Sequence, residues 1–201
     1  MPNWSIPFIT NSKKGSIKHV RHRKLNFNDL WAAYPSDDVE HSDPKTGKDI
    51  MDNHCAIHVS DALYNCGIKL KAFKGVKCWS CPTPDEHGKG IHALRAQELA
   101  DYLKKRPFAG CPEPIEVPAT NFEEVLDGKT GIIFFKDYWP RPGQNQRTGD
   151  HIDLWNKKQL ASIGLLVTFL RVGWGEYVDP YPIFETSDFH KSTQVLFWEI
   201  K

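Results

Sequence analysis

The spacing of apolar residues changes about halfway along the chain. In the first half, apolar residues recur every three or four positions, which places them on one face of a helix. In the second half, short continuous apolar runs and strict alternation are typical of β-strands. Helices followed by strands predict an α+β fold, in which N-terminal helices pack on a C-terminal antiparallel β-sheet.

The clearest helical signal is "MDNHCAIHVSDALYNCGI", residues 51–68. Asp52 or Asn53 can cap its first turn, and Gly67 can end its last turn. Two cysteines fall at opposite ends of this predicted helix, Cys55 in the first turn and Cys66 in the last. Further helices are predicted over residues 26–35, 91–106 and 121–127.

Strands are predicted over residues 130–139, 150–156, 165–174 and 193–201. The segment "DHIDLWN" alternates, so His151 and Asp153 should point to one side of the sheet while Ile152 and Leu154 point to the other. The strand thus combines one polar side with one apolar side.

The chain of 201 residues is expected to form one main domain over residues 26–201. Residues 1–25 are polar and basic and end near "KHVRHRK". An arm that docks on anionic surfaces and a solvated N-terminal extension both fit this composition, and we favour the extension.

Charge and hydropathy exclude several function classes. The net charge is +1 and the pI is near 7.7, so no overall field favours nucleic acid or anionic membrane. The sequence has no run of about 18 apolar residues, and membrane insertion is not expected. The N-terminus also lacks the pattern of a secretory signal, so any export would use another route.

Helix polarity separates the two cysteines of residues 51–68. The first turn of a helix has unpaired N–H groups and a positive dipole end, which stabilise a thiolate, and Cys55 lies there. Cys66 lies at the opposite end on the apolar side, which favours core packing. Cys55 is therefore the candidate nucleophile.

A cysteine nucleophile needs a base, and histidine titrates near neutral pH. His151 is the candidate because its strand follows a glycine-containing loop. His54 is less suitable, since its side chain points about 100° around the helix from Cys55. His58 lies one turn further on and could touch Cys55.

A structural zinc site is the main competing interpretation. Cys55-x-x-His58 and Cys78-x-x-Cys81 supply four suitable ligands in two pairs. However, Cys55 and His58 would lie on a helix without the turn that usually separates zinc ligands. Cys78 and Cys81 can instead form a disulfide or remain thiols, and the count of five cysteines leaves these alternatives open.

Several motifs together resemble the fourth family of type VI secretion amidase effectors, which are papain-like cell-wall peptidases. The motifs are "FNDLWAAYP", "DNHCAIHVSDALYNCGI", "GIIFFK", "TGDHIDLWN" and "VLFWEI", in this order along the chain. The resemblance covers residues 26–70 and 130–156 well and the C-terminus loosely. It implies that Cys55 is the nucleophile and His151 the general base, and no cofactor is needed.

The resemblance also implies a substrate and partners. Enzymes of this family cut the peptide stems of peptidoglycan between γ-D-glutamate and meso-diaminopimelate. They are injected into rival bacteria by the secretion machinery, act in the periplasm as antibacterial toxins, and are neutralised by a cognate immunity protein. Delivery by this route agrees with the missing secretory signal.

The third catalytic residue departs from the family pattern. The family places an aspartate shortly beyond the histidine strand, but no acidic residue occurs between Asp153 and Glu176. Asp153 shares a strand face with His151 and is our first choice, while Ser162 occupies roughly the expected offset and Asn156 is a papain-like alternative. If none of them serves, the chain would be a catalytically decayed cell-wall binding module.

Overall fold

The computed structural model of the chain describes residues 6–9, 17–20, 24–35, 45–46, 53–78, 92–140, 143, 145–162 and 189–201. Two compact units are present, one formed by Met1–Glu113 with Ile200–Lys201 and the other by Pro114–Glu199. The expectation of a single domain over residues 26–201 stays a prediction.

Helix α2 of the first unit spans Cys55–Asn65, which confirms the strongest helical prediction. The Asn53 side chain accepts a hydrogen bond from the Cys55 N–H at 2.9 Å, which satisfies one of the backbone donors that have no partner within the helix. Gly67 ends the helix with a φ of 83°, a conformation that glycine adopts without strain. The buried side of α2 includes Ile57, Val59 and Leu63.

Two other helices of the first unit are also confirmed. Helix α1 spans Phe27–Ala32, and the Asn26 side chain caps it by accepting from the N–H of Asn28 at 2.8 Å. Helix α3 spans Ala96–Lys104, which is shorter than predicted at both ends. None of the described helices is long and apolar enough to cross a bilayer.

The N-terminal segment contains a feature that the sequence did not predict. Strand β1, Ile6–Ile9, pairs antiparallel with β2, Ile17–Val20. Each strand has β-branched residues at its ends, which favour extended backbone. Part of the expected polar extension is therefore a two-stranded ribbon.

The second unit is built on a five-stranded antiparallel sheet in the order β3-β7-β4-β5-β6. In chain order the strands are β3 Ile115–Val117, β4 Thr130–Pro140, β5 Arg147–Asn156, β6 Gln159–Leu160 and β7 Gln194–Glu199. This arrangement confirms the predicted α+β class. The strand predicted over residues 165–174 lies outside the described residues.

The apolar run of β4 is explained by burial of both of its faces. Ile132 to Phe135 are all fully buried or nearly so. On the face that also carries His151, the core is completed by Phe122 from the short helix α4, Phe122–Val125. Alternation is lost in β4 because neither face meets solvent there.

Candidate active site

Cys55 is the first residue of α2, as predicted, and its side chain carries a free thiol. The residue is 7 % exposed. Because the Asn53 side chain already accepts the Cys55 N–H, the N–H groups of Ala56 and Ile57 are the next donors of the first turn. The helix start therefore combines a nearly buried thiol with backbone donors.

Among the described residues, Cys66 and Cys111 also lie outside disulfides, and their surroundings differ from those of Cys55. Cys66 caps the C-terminal end of α2, where it is half-buried and lines a cavity of about 420 Å³. It is less buried than a core residue because the helix ends before it. Cys111 is buried, and burial raises its pKa to about 12 although Arg106 acts in the opposite direction. Cys111 therefore stays protonated near neutral pH.

The two histidines near Cys55 pack as aromatic rings. The rings of His54 and His58 lie 5.9 Å apart in an edge-to-face arrangement. His58 also meets the Tyr34 ring edge-on at 5.5 Å. These contacts give both histidines a packing role at the start of α2.

The structure does not support the four-residue zinc site. Cys78 belongs to a disulfide, and a disulfide sulfur cannot serve as the thiolate ligand that zinc requires. Cys78 Sγ lies 3.7 Å from Nδ1 of His92, whose Nε2 is 3.1 Å from Asp61 Oδ1. Cys81 lies outside the described residues. Within the described part of the chain, no group of three or more His, Cys, Asp or Glu side chains could hold a metal ion.

His151 lies in the second unit on β5, where it is 6 % exposed. Three aromatic rings surround its imidazole: Phe135 on the neighbouring strand, Tyr138, and Phe189 in the 3₁₀ turn before β7. The centroid of the Phe189 ring is the nearest, at 5.6 Å from the imidazole centroid. These rings restrict the orientation of the imidazole and exclude water from its faces.

An irregularity in β4 lies beside His151. The pairing of β4 with β5 shifts register between Phe135 and Trp139. There, Asp137 has a φ of 52°, and its N–H donates to Asp150 Oδ1 at 3.0 Å. The Trp139 indole lies where a Cβ of Gly149 would be, so only glycine fits two residues before His151. Bulges of this kind often aim side chains at functional sites.

Asp153 is fully buried and faces His151, with Oδ2 at 3.4 Å from the histidine Nε2. Its Oδ1 accepts the Leu154 N–H at 2.7 Å. Its Oδ2 also accepts from Ser162, from the N–H at 3.2 Å and from the hydroxyl at 2.5 Å. The alternation of "DHIDLWN" correctly predicted that His151 and Asp153 share a face.

The structure brings together three of the predicted site residues, His151, Asp153 and Ser162. Asn156 is different, because it ends β5 five residues beyond His151, an odd number that directs it to the opposite face. Cys55 belongs to the other compact unit. Its pairing with His151 stays a prediction.

Sequence reasoning missed the aromatic surroundings of His151. Phe135 was identified only as part of an apolar strand, and Tyr138 as its continuation. Phe189 carried no usable signal, because it lies 38 positions from His151 outside any predicted element. The β5 alternation could show which way His151 points, but not which rings it meets.

The comparisons with known proteins agree with this fold. A family model described as type VI secretion system (T6SS) amidase effector protein 4, Tae4, matches residues 51–198. No curated protein sequence matches the chain. Tae4 of Enterobacter cloacae has 20 % identity and a TM-score of 0.55, over 90 % of this chain and 99 % of that one.

A second similar structure is Tae4 of Salmonella typhimurium, solved in complex with the immunity protein Tai4 of Enterobacter cloacae. It has 22 % identity and a TM-score of 0.54, over 88 % of this chain and 99 % of that one. These structures share the α+β fold of this chain. Since the family model matches more than half of the residues of this chain, the chain belongs to the Tae4 family of type VI secretion amidase effectors, which act on peptidoglycan.

Proposed function

We propose that this chain is a cysteine endopeptidase that hydrolyses the γ-D-glutamyl–meso-diaminopimelate bond of peptidoglycan stem peptides. Cys55 is the nucleophile, His151 the general base, and Asp153 the residue that orients the histidine. The observation that carries this proposal is the buried pair of His151 and Asp153, whose nearest atoms are 3.4 Å apart. A base oriented by a second buried group is typical of nucleophilic catalysis.

The first half of the reaction forms a thioester. His151 directs Nε2 at Asp153, so Nδ1 takes the proton of the Cys55 thiol. The thiolate attacks the γ-carbonyl carbon of D-glutamate, and the carbonyl electron pair moves to oxygen. This oxyanion accepts hydrogen bonds from the first-turn N–H groups of Ala56 and Ile57. When it collapses, the C–N bond breaks and His151 protonates the departing amine.

The second half releases the product. A water molecule gives a proton to His151 and attacks the thioester carbonyl. The C–S bond then breaks, the γ-carboxyl group of D-glutamate leaves, and Cys55 recovers its proton. The 3.4 Å separation of His151 and Asp153 is long for a hydrogen bond, and we expect it to shorten in the substrate complex.

We further propose that the chain acts in the periplasm of the target bacterium and is inhibited by an immunity protein. Two observations support this proposal. The similar Tae4 structures from Salmonella typhimurium and Enterobacter cloacae include complexes with Tai4 immunity proteins. Cys78 is in a disulfide, a bond that persists in oxidising compartments such as the periplasm.

The decisive experiment is a digest of purified muropeptides followed by mass analysis of the fragments. The wild-type enzyme should give one new cut per stem, between γ-D-glutamate and meso-diaminopimelate. Hydrolysis of this amide yields fragments of unique mass, so the masses identify the bond that was cut. Cys55→Ala should give no cut, since no thioester can form.

Cys66→Ala is the matched control, because it removes a thiol from the other end of the same helix. This variant should cleave as the wild type does. Full activity of Cys55→Ala would overturn the cysteine mechanism. An inactive wild-type protein that still binds peptidoglycan would indicate the decayed binding module.

A further inference from the structure

We propose that Ser162 is a positioning residue: it holds the Asp153 carboxylate in the orientation that supports His151, and takes no part in the reaction itself. This inference rests on the function proposed above. The serine lies where the family pattern led us to expect the third catalytic residue, yet its hydroxyl donates a hydrogen bond to Asp153.

The hydrogen bonds around Asp153 carry the argument. Oδ2 accepts both the N–H and the hydroxyl of Ser162, at 3.2 Å and 2.5 Å, and the same oxygen faces His151. Oδ1 is held by the Leu154 N–H at 2.7 Å. The donors on the two oxygens fix the rotation of the carboxylate about its Cβ–Cγ bond. Ser162 therefore determines where the oxygen that meets His151 lies.

The β5–β6 hairpin places Ser162 beside Asp153. Asn156 pairs with Gln159 across a tight turn, in which Lys157 has a φ of 63°. After β6, the Ala161 N–H donates to the Leu154 carbonyl at 3.0 Å, which keeps the returning chain against β5. The next residue is Ser162, nine positions after Asp153, and the hairpin brings both its donors to one carboxylate oxygen.

The chemistry of the serine hydroxyl also matters. Asp153 is fully buried, and a buried carboxylate is stable only when hydrogen-bond donors replace water. A hydroxyl supplies such a donor, whereas a second carboxylate at position 162 would repel the first. Hence Ser162→Asp distinguishes the two roles: it should increase activity if residue 162 itself orients His151, and decrease activity if Ser162 acts through Asp153.

The test compares steady-state cleavage of a stem peptide by the wild type and three variants. Ser162→Ala should lower kcat about tenfold and leave KM within about twofold, because one charge-assisted hydrogen bond is lost away from the substrate. Ser162→Thr keeps the hydroxyl, and its extra methyl group has room because residue 162 is exposed. This variant should therefore have most of the wild-type kcat. Ser162→Asp should be less active than Ser162→Ala.

Gln159→Ala in the same hairpin is the control and should keep wild-type kcat. Thermal unfolding of each variant shows whether lost activity reflects lost folding. A wild-type kcat in Ser162→Ala, or a gain of activity in Ser162→Asp, would overturn the positioning role. The proposed function fails separately, if Cys55→Ala stays active or the wild type does not cleave.

Discussion

The proposed nucleophile and the proposed base are held by contacts of very different range. Cys55 is placed by its position at a helix start and by Asn53, two residues away. His151 is placed by Phe135, Tyr138 and Phe189, and its partner Asp153 by Ser162 from a separate turn. The nucleophile is thus specified locally, whereas the base depends on the whole sheet.

This difference predicts how each region responds to mutation. A change beside Cys55 should remove a single backbone contact and leave most of the helix intact. A change beside His151 should disturb several side chains that constrain one another. Two substitutions test this comparison, and a third tests the turn that carries Phe189; they follow in order of decreasing effect.

The largest effect is expected for Asp153→Asn. Asparagine lacks the negative charge that stabilises the imidazolium. Its NH₂ group would also face either the Leu154 N–H or the Ser162 hydroxyl, each of which donates to Asp153 in the wild type. We expect kcat to fall roughly 10²–10⁴-fold. Unfolding free energy should fall by about 1–3 kcal/mol, because a buried donor loses its acceptor.

Kinetics of stem-peptide cleavage and denaturant unfolding measure the two effects of Asp153→Asn. Asp127→Asn is the matched control in the same unit, since Asp127 is exposed and forms a surface ion pair with Lys158 at 3.6 Å. That variant should change stability by less than about 1 kcal/mol. Equal effects of the two substitutions would contradict a special role for Asp153.

A smaller effect is expected for Asn53→Ala. The substitution removes the acceptor of the Cys55 N–H and should lower the free energy of unfolding by about 1 kcal/mol. kcat should fall only a few fold, because the helix and its other N–H groups remain. Unfolding curves and kcat values measure both quantities.

Asn65→Ala is the control for this substitution. It lies at the other end of α2, where its amide donates to Asp61 Oδ2 at 3.0 Å on the surface. It should leave kcat unchanged. If both asparagine variants lost the same activity, the contact with Cys55 would have no specific importance.

The smallest effect is a change in pH dependence for Glu123→Gln. Burial raises the pKa of Glu123, although His190, 2.8 Å away, acts in the opposite direction. The folded protein therefore binds this proton more tightly than the unfolded chain does. The resulting stabilisation is present below the ordinary glutamate pKa of about 4.3 and is lost as the pH rises through the raised value.

Calorimetric melting of the wild type and Glu123→Gln at several pH values measures this dependence. The Tm of the wild type relative to the variant should fall as the pH rises from about 4 towards neutrality. A trend of the opposite sign would mean that the ion pair with His190 outweighs burial.

The sequence was most informative where structure depends on near neighbours. The bounds and polarity of α2 followed from its spacing, Asn53 and Gly67, and they distinguished Cys55 from Cys66. The alternation of β5 gave the shared face of His151 and Asp153. In each case the determining contacts lie within one turn or one strand.

The remaining features depend on contacts that no local pattern contains. The ring of Phe189 reaches His151 only because β7 pairs with β4 and β4 with β5. The hydrogen bond from Ser162 to Asp153 forms only because the β5–β6 turn brings the two residues together. Lys157 adopts a left-handed backbone conformation in that turn, and lysine has no turn preference that would have predicted it. The β1–β2 ribbon was missed because its strands are short and the surrounding residues are polar.

The placement of His151 and Asp153 on one strand, two residues apart, has an evolutionary consequence. Their separation is set by the pleat of β5 and does not depend on the length of any loop. Residues can therefore be gained or lost in the surface loops of such a chain while the proposed base and its proposed orienting acid keep their spacing and pass on together as one unit.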